Sequence, residues 1–235
     1  MNRLSVIIPS YQHAATIVAC LESVLAQTRQ ADEVIVVNDG STDETSSLLG
    51  PYKDRVKLIE QFNQGGNAAR NRGFAESTGN LVLFCDADAV LRDDMLEQLE
   101  TGLEIHPEAS YAYSCFRFGR KEFPSYAFDA DRLRDMNYIH TSALIRREHF
   151  PGFDVTIRRF QDWDVWLTML SAGHVGVRVN ETLFQIMEVP GRTGISQWRP
   201  SWFYKAPFRW VTRFFPAGRR YEQARRVILK KHGLV

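Results

Sequence analysis

Long apolar runs, paired cysteines and glycine-rich phosphate loops are all missing from this chain. No stretch of eighteen apolar residues occurs in its 235, which excludes a membrane-spanning helix. Three cysteines, Cys20, Cys85 and Cys115, are widely spaced and odd in number. They form neither a zinc pattern nor a disulfide framework, and they suit a reducing cytosol. There is no Gly-x-Gly-x-x-Gly, and no glycine-rich loop ending in Lys-Ser/Thr, so the dinucleotide and P-loop patterns fail. Acidic residues are scarce at the far end. Residues 192–235 hold 11 Lys and Arg against a single Glu222, leaving 18 basic and 27 acidic residues in 1–191, a net of −9. An acidic body with a basic tail points the tail at an anionic partner. The start, Met1-Asn2-Arg3-Leu4, enters a strand pattern without a small-residue cleavage site, which predicts no signal peptide and a cytoplasmic protein.

What is present is alternation. Strand patterns at Leu4–Ile8, Val34–Val37, Val56–Ile59 and 81–85 alternate with helical spacing at 14–27, a short helix reaching Leu49, and a helix from Asn67 to Ser77. Such βαβ alternation predicts a parallel sheet with helices on both faces. Asp93–Ile105 reads as an amphipathic helix. Beyond it, Tyr111–Phe118 alternates as a strand, 119–137 is irregular, and Ser142–Ile145 is a short strand. Asp162–Leu170 is helical, and Val175–Val179 and Leu183–Met187 read as two last strands. Residues 190–197 are rich in Gly and Pro and read as a mobile loop.

The buried run Leu81-Val82-Leu83-Phe84-Cys85 ends on Asp86-Ala87-Asp88, at the sheet edge where α/β folds bind ligands. Two carboxylates at i, i+2 fit a hard divalent ion that also carries phosphate oxygens, Mg2+ or Mn2+. A plain Asx-type turn is the other reading. Loops at the same edge add Tyr11, Asp39 and Arg70. A ring, a carboxylate and a guanidinium are what a nucleotide's base, its donors and its phosphates require. Taken alone, Asp39 also suits a turn before Gly40, and Arg70 also suits a solvated helix face.

Four segments together carry a resemblance. Ser5–Tyr11 (SVIIPSY), Glu33–Asp43 (EVIVVNDGSTD), Asn63–Gly73 (NQGGNAARNRG) and the Asp86-Ala87-Asp88 DXD motif resemble family 2 glycosyltransferases over roughly residues 4–190. The resemblance implies a GT-A-type α/β fold: an open, mostly parallel twisted sheet flanked by helices. It has a Rossmann-like nucleotide-binding half (about 1–105) and an acceptor half (about 106–197), followed by a helical basic extension at 198–235. It also implies inverting transfer from a nucleotide diphosphate sugar, UDP-sugar first, to a glycan, polysaccharide or lipid-linked hydroxyl. Pro9 and Tyr11 would pack on the base, Asp39 would accept from it, and Arg70 would contact base or phosphate. Asp86 would approach the ribose, and Asp88 would ligate Mn2+ or Mg2+. Phe160-Gln161-Asp162-Trp163-Asp164-Val165-Trp166 resembles the family's acceptor-side motif, with Asp162 as catalytic base and Gln161 replacing the usual Glu. Gln161 and Trp163 are expected near the acceptor. Arg192, in a loop without the His some members carry, is expected near the diphosphate. His13 and His140 read as loop or packing residues. Asp162 and Asp164 equally suit first-turn positions favoured by the helix dipole.

Two other classes remain on the residues alone. A sugar nucleotidyltransferase would want a basic, glycine-rich loop after the first strand, and Pro9–His13 is not one. A nucleotide-sugar binding module without turnover would be signalled only by Gln161. Finally, eight aromatics between Trp198 and Phe215 interleave with Arg199, Lys205, Arg209 and Arg213. This composition fits a helix on an anionic membrane surface, at the inner face of the cell membrane, or a lid folded over the acceptor. Nucleic acid is not expected, because the acidic body repels it.

Overall fold

The computed structural model describes residues 2–189 and 216–235. Its frame is a nine-stranded sheet in the order β3-β2-β1-β4-β8-β6-β9-β5, with β7 hydrogen-bonded to β6. Strands β1 (Leu4–Ser10), β2 (Glu33–Asn38), β3 (Lys57–Glu60) and β4 (Leu81–Phe84) are parallel, as the alternation predicts. On the other side of β4 the direction changes. β8 (Leu144–Arg146) runs antiparallel to both β4 and β6 (Ala109–Phe118), and β9 (Val175–Ile186) runs parallel to β6.

Strand periodicity sorts the core into two faces. Val6, Ile8, Val34, Val36, Leu81 and Leu83 face α1 (Ile17–Leu25), α2 (Thr45–Leu49) and α4 (Met95–Ile105). Ile7, Val82, Phe84, Tyr111 and Tyr113 face α5 (Ala130–Asp135), α6 (Gln161–Ser171) and α7 (Pro216–Lys231). Helix α3 (Gly66–Glu76) lies on this second face against Ile35 and Val37. It sits so close that a Cβ on Gly73 would come 2.4 Å from Ile7 Cγ2, so glycine is required there.

Several readings change beyond β4. The stretch 119–137 is not irregular throughout, since β7 (Lys121–Phe123) and α5 lie within it. β5 (Ala89–Leu91) is a three-residue strand pairing with β9. The two last strands are one, β9, whose pairing with β6 jumps from Ser114↔Val179 to Cys115↔Thr182. The skipped, exposed Asn180-Glu181 forms a bulge, and its polarity is what reads as a break.

The tail also differs. Ile228 and Leu229 of α7 are buried in the second core face, and Arg225 Nη2 donates to the Asp135 carbonyl at 3.0 Å. The apolar side of this helix therefore packs on the protein. Arg219, Arg220, Arg226 and Lys230 stay exposed on the other side. The aromatic stretch 198–215 and the loop residue Arg192 lie outside the described residues.

Candidate active site

Parallel register brings the ends of β1, β2 and β4 to one edge, with Ser10 beside Asn38 and Ile7 beside Phe84. Pro9 is buried beyond the last β4 partner, where its missing N–H costs no ladder bond on that side. Tyr11 follows it and is 43% exposed.

Asp39 is buried and donates its own N–H to the Ser10 carbonyl at 2.8 Å. Its Oδ1 accepts from Gln61 Nε2 (2.7 Å) and Gln64 N (2.9 Å), and its Oδ2 from Gly65 N (2.8 Å). A carboxylate offers about four acceptor positions. Three are engaged here in shaping loop 61–65, and Oδ2 retains one. Gly40 has φ +75°, and a Cβ on it would come 2.8 Å from Asn63 N, so this loop closes only over glycine.

Arg70 is on the inward face of α3 and is buried, so it does not lie on a solvated helix surface. Periodicity conceals this because the buried side of α3 is itself polar, with Asn67 and Arg70 turned inward. Arg70 Nη2 meets Asp86 Oδ1 at 2.6 Å, and the guanidinium lies 5.4 Å from the centre of the Phe153 ring. Its Nε is buried without a hydrogen-bond partner among the described residues. The same helix holds the segment 153–157. Asn67 Nδ2 donates to the Asp154 and Ile157 carbonyls (2.8 and 2.9 Å), and Asn71 exchanges two hydrogen bonds with the backbone of Phe153. The Asn-x-x-Arg-Asn spacing thus does two jobs, pairing a carboxylate and tying down the segment that leads to α6.

Asp86 and Asp88 flank a tight turn closed by Ala89 N on the Asp86 carbonyl at 2.8 Å, so the turn reading holds for the backbone. The Asp88 carbonyl accepts from Met187 N at 2.8 Å, which brings the end of β9 to the same place. Burial pushes the Asp86 carboxyl up, but Arg70, then His140, outweigh it and hold the group below its usual range. Among the described residues no cluster of three or more His, Cys, Asp or Glu could hold a metal. The donor set still fits a Mg2+- or Mn2+-type ion, which takes one or two carboxylates and completes its shell from phosphates and water. Asp88, the second carboxylate of the turn, would carry such an ion.

Helix α6 begins after Phe160, which is left-handed at φ +60°. Gln12, at φ +57°, is the only other non-glycine residue with positive φ among those described, and its side chain caps the loop at Thr42 and Asp43. Each such residue costs about 1–2 kcal/mol, and one follows β1 while the other leads into α6. Asp162 is half-buried. Its Oδ1 accepts from Trp163 N at 2.9 Å, and Asn137 also bonds to it. Burial raises its pKa, and His140 and these hydrogen bonds offset only part of the rise. Gln161, also half-buried, is the first residue of α6.

Trp163 and Asp164 belong elsewhere. Trp163 is 1% exposed, and its indole N–H donates to the Leu133 carbonyl at 2.6 Å, so it is a core residue and is not open to an acceptor. Asp164 is buried against Lys231 and His232. The two first-turn carboxylates therefore face different partners.

His140 is the residue that motif reading passed over. It is more than a packing residue, because its Nε2 lies 3.9 Å from Asp86 Oδ2 and it interacts electrostatically with Asp162. The signal lies in the register. Leu83 pairs antiparallel with Leu144, so the chain three residues past one and four before the other meets at the sheet edge.

The family description "Glycosyl transferase family 2" matches residues 5–163. TuaG of Bacillus subtilis (strain 168), a glycosyltransferase assigned to teichuronic acid biosynthesis, is 28% identical over 219 residues, covering 85% of this chain and 86% of TuaG. The uncharacterized glycosyltransferase YibD of Escherichia coli (strain K12) is 39% identical over 139 residues, 57% of this chain. Among solved structures, S. aureus TarS 1–349 in complex with UDP superposes with TM-score 0.69 at 19% identity over 80% of this chain. The Pyrobaculum calidifontis mannosyltransferase PcManGT in complex with GDP-Man and Mn2+ gives 0.65 at 23% over 81%. The chain spans 40% of the length of YibD and 61% of the TarS fragment. The open sheet flanked by helices is thus the GT-A fold that these structures share.

Proposed function

Because this chain belongs to glycosyl transferase family 2, we propose that it moves a sugar from a nucleotide diphosphate sugar to an acceptor hydroxyl, with inversion. The supporting observation is the approach of a donor-side carboxylate, Asp86, and an acceptor-side carboxylate, Asp162, to one imidazole, His140. A displacement at the anomeric carbon needs a base on one side and a stabilised leaving group on the other. Asp162 would take the acceptor proton, and burial, which raises its proton affinity, suits that task. Arg70 would neutralise diphosphate charge, Asp86 would meet the ribose, and the remaining acceptor position on Asp39 would take a base N–H. A divalent ion held by Asp88 would supply Lewis-acid neutralisation of the diphosphate. The UDP and UDP-GlcNAc complexes of TarS support a UDP-sugar, while the GDP-Man complex of PcManGT keeps GDP-sugars in the screen.

The acceptor would be a glycan, polysaccharide or lipid-linked hydroxyl, met at an anionic membrane surface. Among the described residues no helix is long and apolar enough to cross a membrane. The exposed cations of α7 would contribute to that contact by charge rather than insertion, since its apolar side is packed on the protein. Incubating the protein with a panel of UDP- and GDP-sugars and Mn2+ or Mg2+ tests the reading. Metal-dependent release of nucleotide diphosphate supports it. Nucleotide binding by calorimetry without turnover across the panel, with glycan and lipid-linked acceptors supplied, would overturn it.

A further inference from the structure

We propose that His140 is a positioning residue that couples the donor-side Asp86 to the acceptor-side Asp162, an inference that rests on the transfer reading above. Its ring is held from three directions. Phe116 and Phe184 lie against it, each with ring centroids 5.0 Å away. These two rings also stack on each other across β6 and β9 at 5.3 Å. Trp166 of α6 donates its indole N–H to the Ile139 carbonyl at 3.0 Å, which fixes the backbone next to His140 from the helix that bears Asp162.

The hydrogen bonding then sets the tautomer. His140 Nδ1 accepts from Ser142 N at 3.0 Å, so the neutral ring carries its proton on Nε2. Nε2–H faces Asp86 Oδ2 at 3.9 Å, an electrostatic contact rather than a direct hydrogen bond. Asp86, Asp162 and Arg70 are the charged groups acting on the ring, and the walls formed by Phe116 and Phe184 carry none. Without the imidazole, Asp86 would keep Arg70 but lose the ring that also acts on Asp162. His140 directs its N–H at Asp86 while the same ring acts on Asp162, so that Asp86 stays with Arg70 and Asp162 remains directed at the acceptor.

The test has two arms. In the first, kinetics compare wild type with His140→Asn, which keeps an acceptor for Ser142 N–H but cannot reach Asp86, and His140→Gln, which restores a distal N–H donor. The expected result is a kcat about tenfold to a hundredfold lower in His140→Asn. The donor KM should change little, and His140→Gln should recover part of the loss. Unchanged kcat, or a rise in KM alone, overturns the proposal. The second arm needs no turnover. In 15N-histidine-labelled protein the His140 ring shifts should report the Nε2–H tautomer and should move in both Asp86→Asn and Asp162→Asn. A Nδ1–H tautomer, or shifts indifferent to Asp162→Asn, also overturns it. If wild type transfers no sugar, the transfer reading fails, and the ring shifts still decide the coupling.

Discussion

His232 Nε2 lies 2.8 Å from Asp164 Oδ1, and Lys231 Nζ lies 2.9 Å from the other oxygen of that carboxylate. Asp164 is 3% exposed and stands two residues after Asp162 in the first turn of α6. The end of α7 is therefore fastened to the helix that carries the candidate base.

Breaking that fastening should cost stability. Replacing Asp164 by Asn removes one charge-assisted acceptor and leaves Lys231 or His232 facing an amide N–H. A loss of about 1–3 kcal/mol is expected. For a chain of this size that is a fall in Tm of about 2–4 °C per kcal/mol. Scanning calorimetry checks it, and a Tm equal to wild type counts against a structural role for the contact.

The neighbouring pair gives a pH dependence. Hydrogen bonding to Lys231, then to Thr156, holds the Asp154 carboxyl at about 2, against an ordinary 3.8. A depressed carboxylate contributes stability that is present above its unfolded pKa and is lost as pH falls through the folded one. Docking of α7 should thus weaken between about pH 4 and 2. Asp154→Asn should make stability flatter across that window. Urea melts at stepped pH measure this, and an unaltered acid slope in the variant would contradict it.

Asp39→Asn tests the base-side loop. An amide keeps two acceptor positions on oxygen but turns an N–H toward Gly65 N–H, so this part-buried contact loses its acceptor at a cost of about 1 kcal/mol. Loop 61–65 should lose protection in amide hydrogen exchange, and nucleotide affinity should fall with it. Normal exchange at Gln64 and Gly65 together with lost affinity would instead confine Asp39 to ligand contact.

How far this was legible in sequence depends on what kind of force placed each residue. The runs at Leu4–Ile8, Val34–Val37 and 81–85 are buried on both faces, so continuous apolarity reveals them. β5 and β7 have three residues each, too few for any period to show. Arg70 and Asn67 are polar residues on the buried side of α3, which cancels the amphipathic signal. The helix that bears Asp162 and Asp164 is readable from its spacing. The partners of Asp164 lie 67 and 68 residues away, which no local pattern can reveal. His140 was hidden for the same reason, since antiparallel pairing of β4 with β8 brings it to Asp86.

Asp162 carries the last prediction. A base must be ionised to accept the acceptor proton, and burial holds the Asp162 carboxyl above its ordinary 3.8. Activity should therefore be lost as pH falls through a value raised above the ordinary 3.8, giving an acid limb in kcat. Asp162→Asn removes the proton acceptor without adding volume and keeps an oxygen for Trp163 N–H. Its kcat should fall at least about a hundredfold, the acid limb should disappear from any residual rate, and nucleotide affinity by calorimetry should stay within about twofold, a difference of some 0.4 kcal/mol. Nucleotide affinity lost in step with kcat would move Asp162 to the donor side. A residual rate that keeps the wild-type acid limb would assign the ionisation to another group, and His140, whose Nε2 lies 3.9 Å from Asp86 Oδ2 and which also interacts with Asp162, is the one to substitute next.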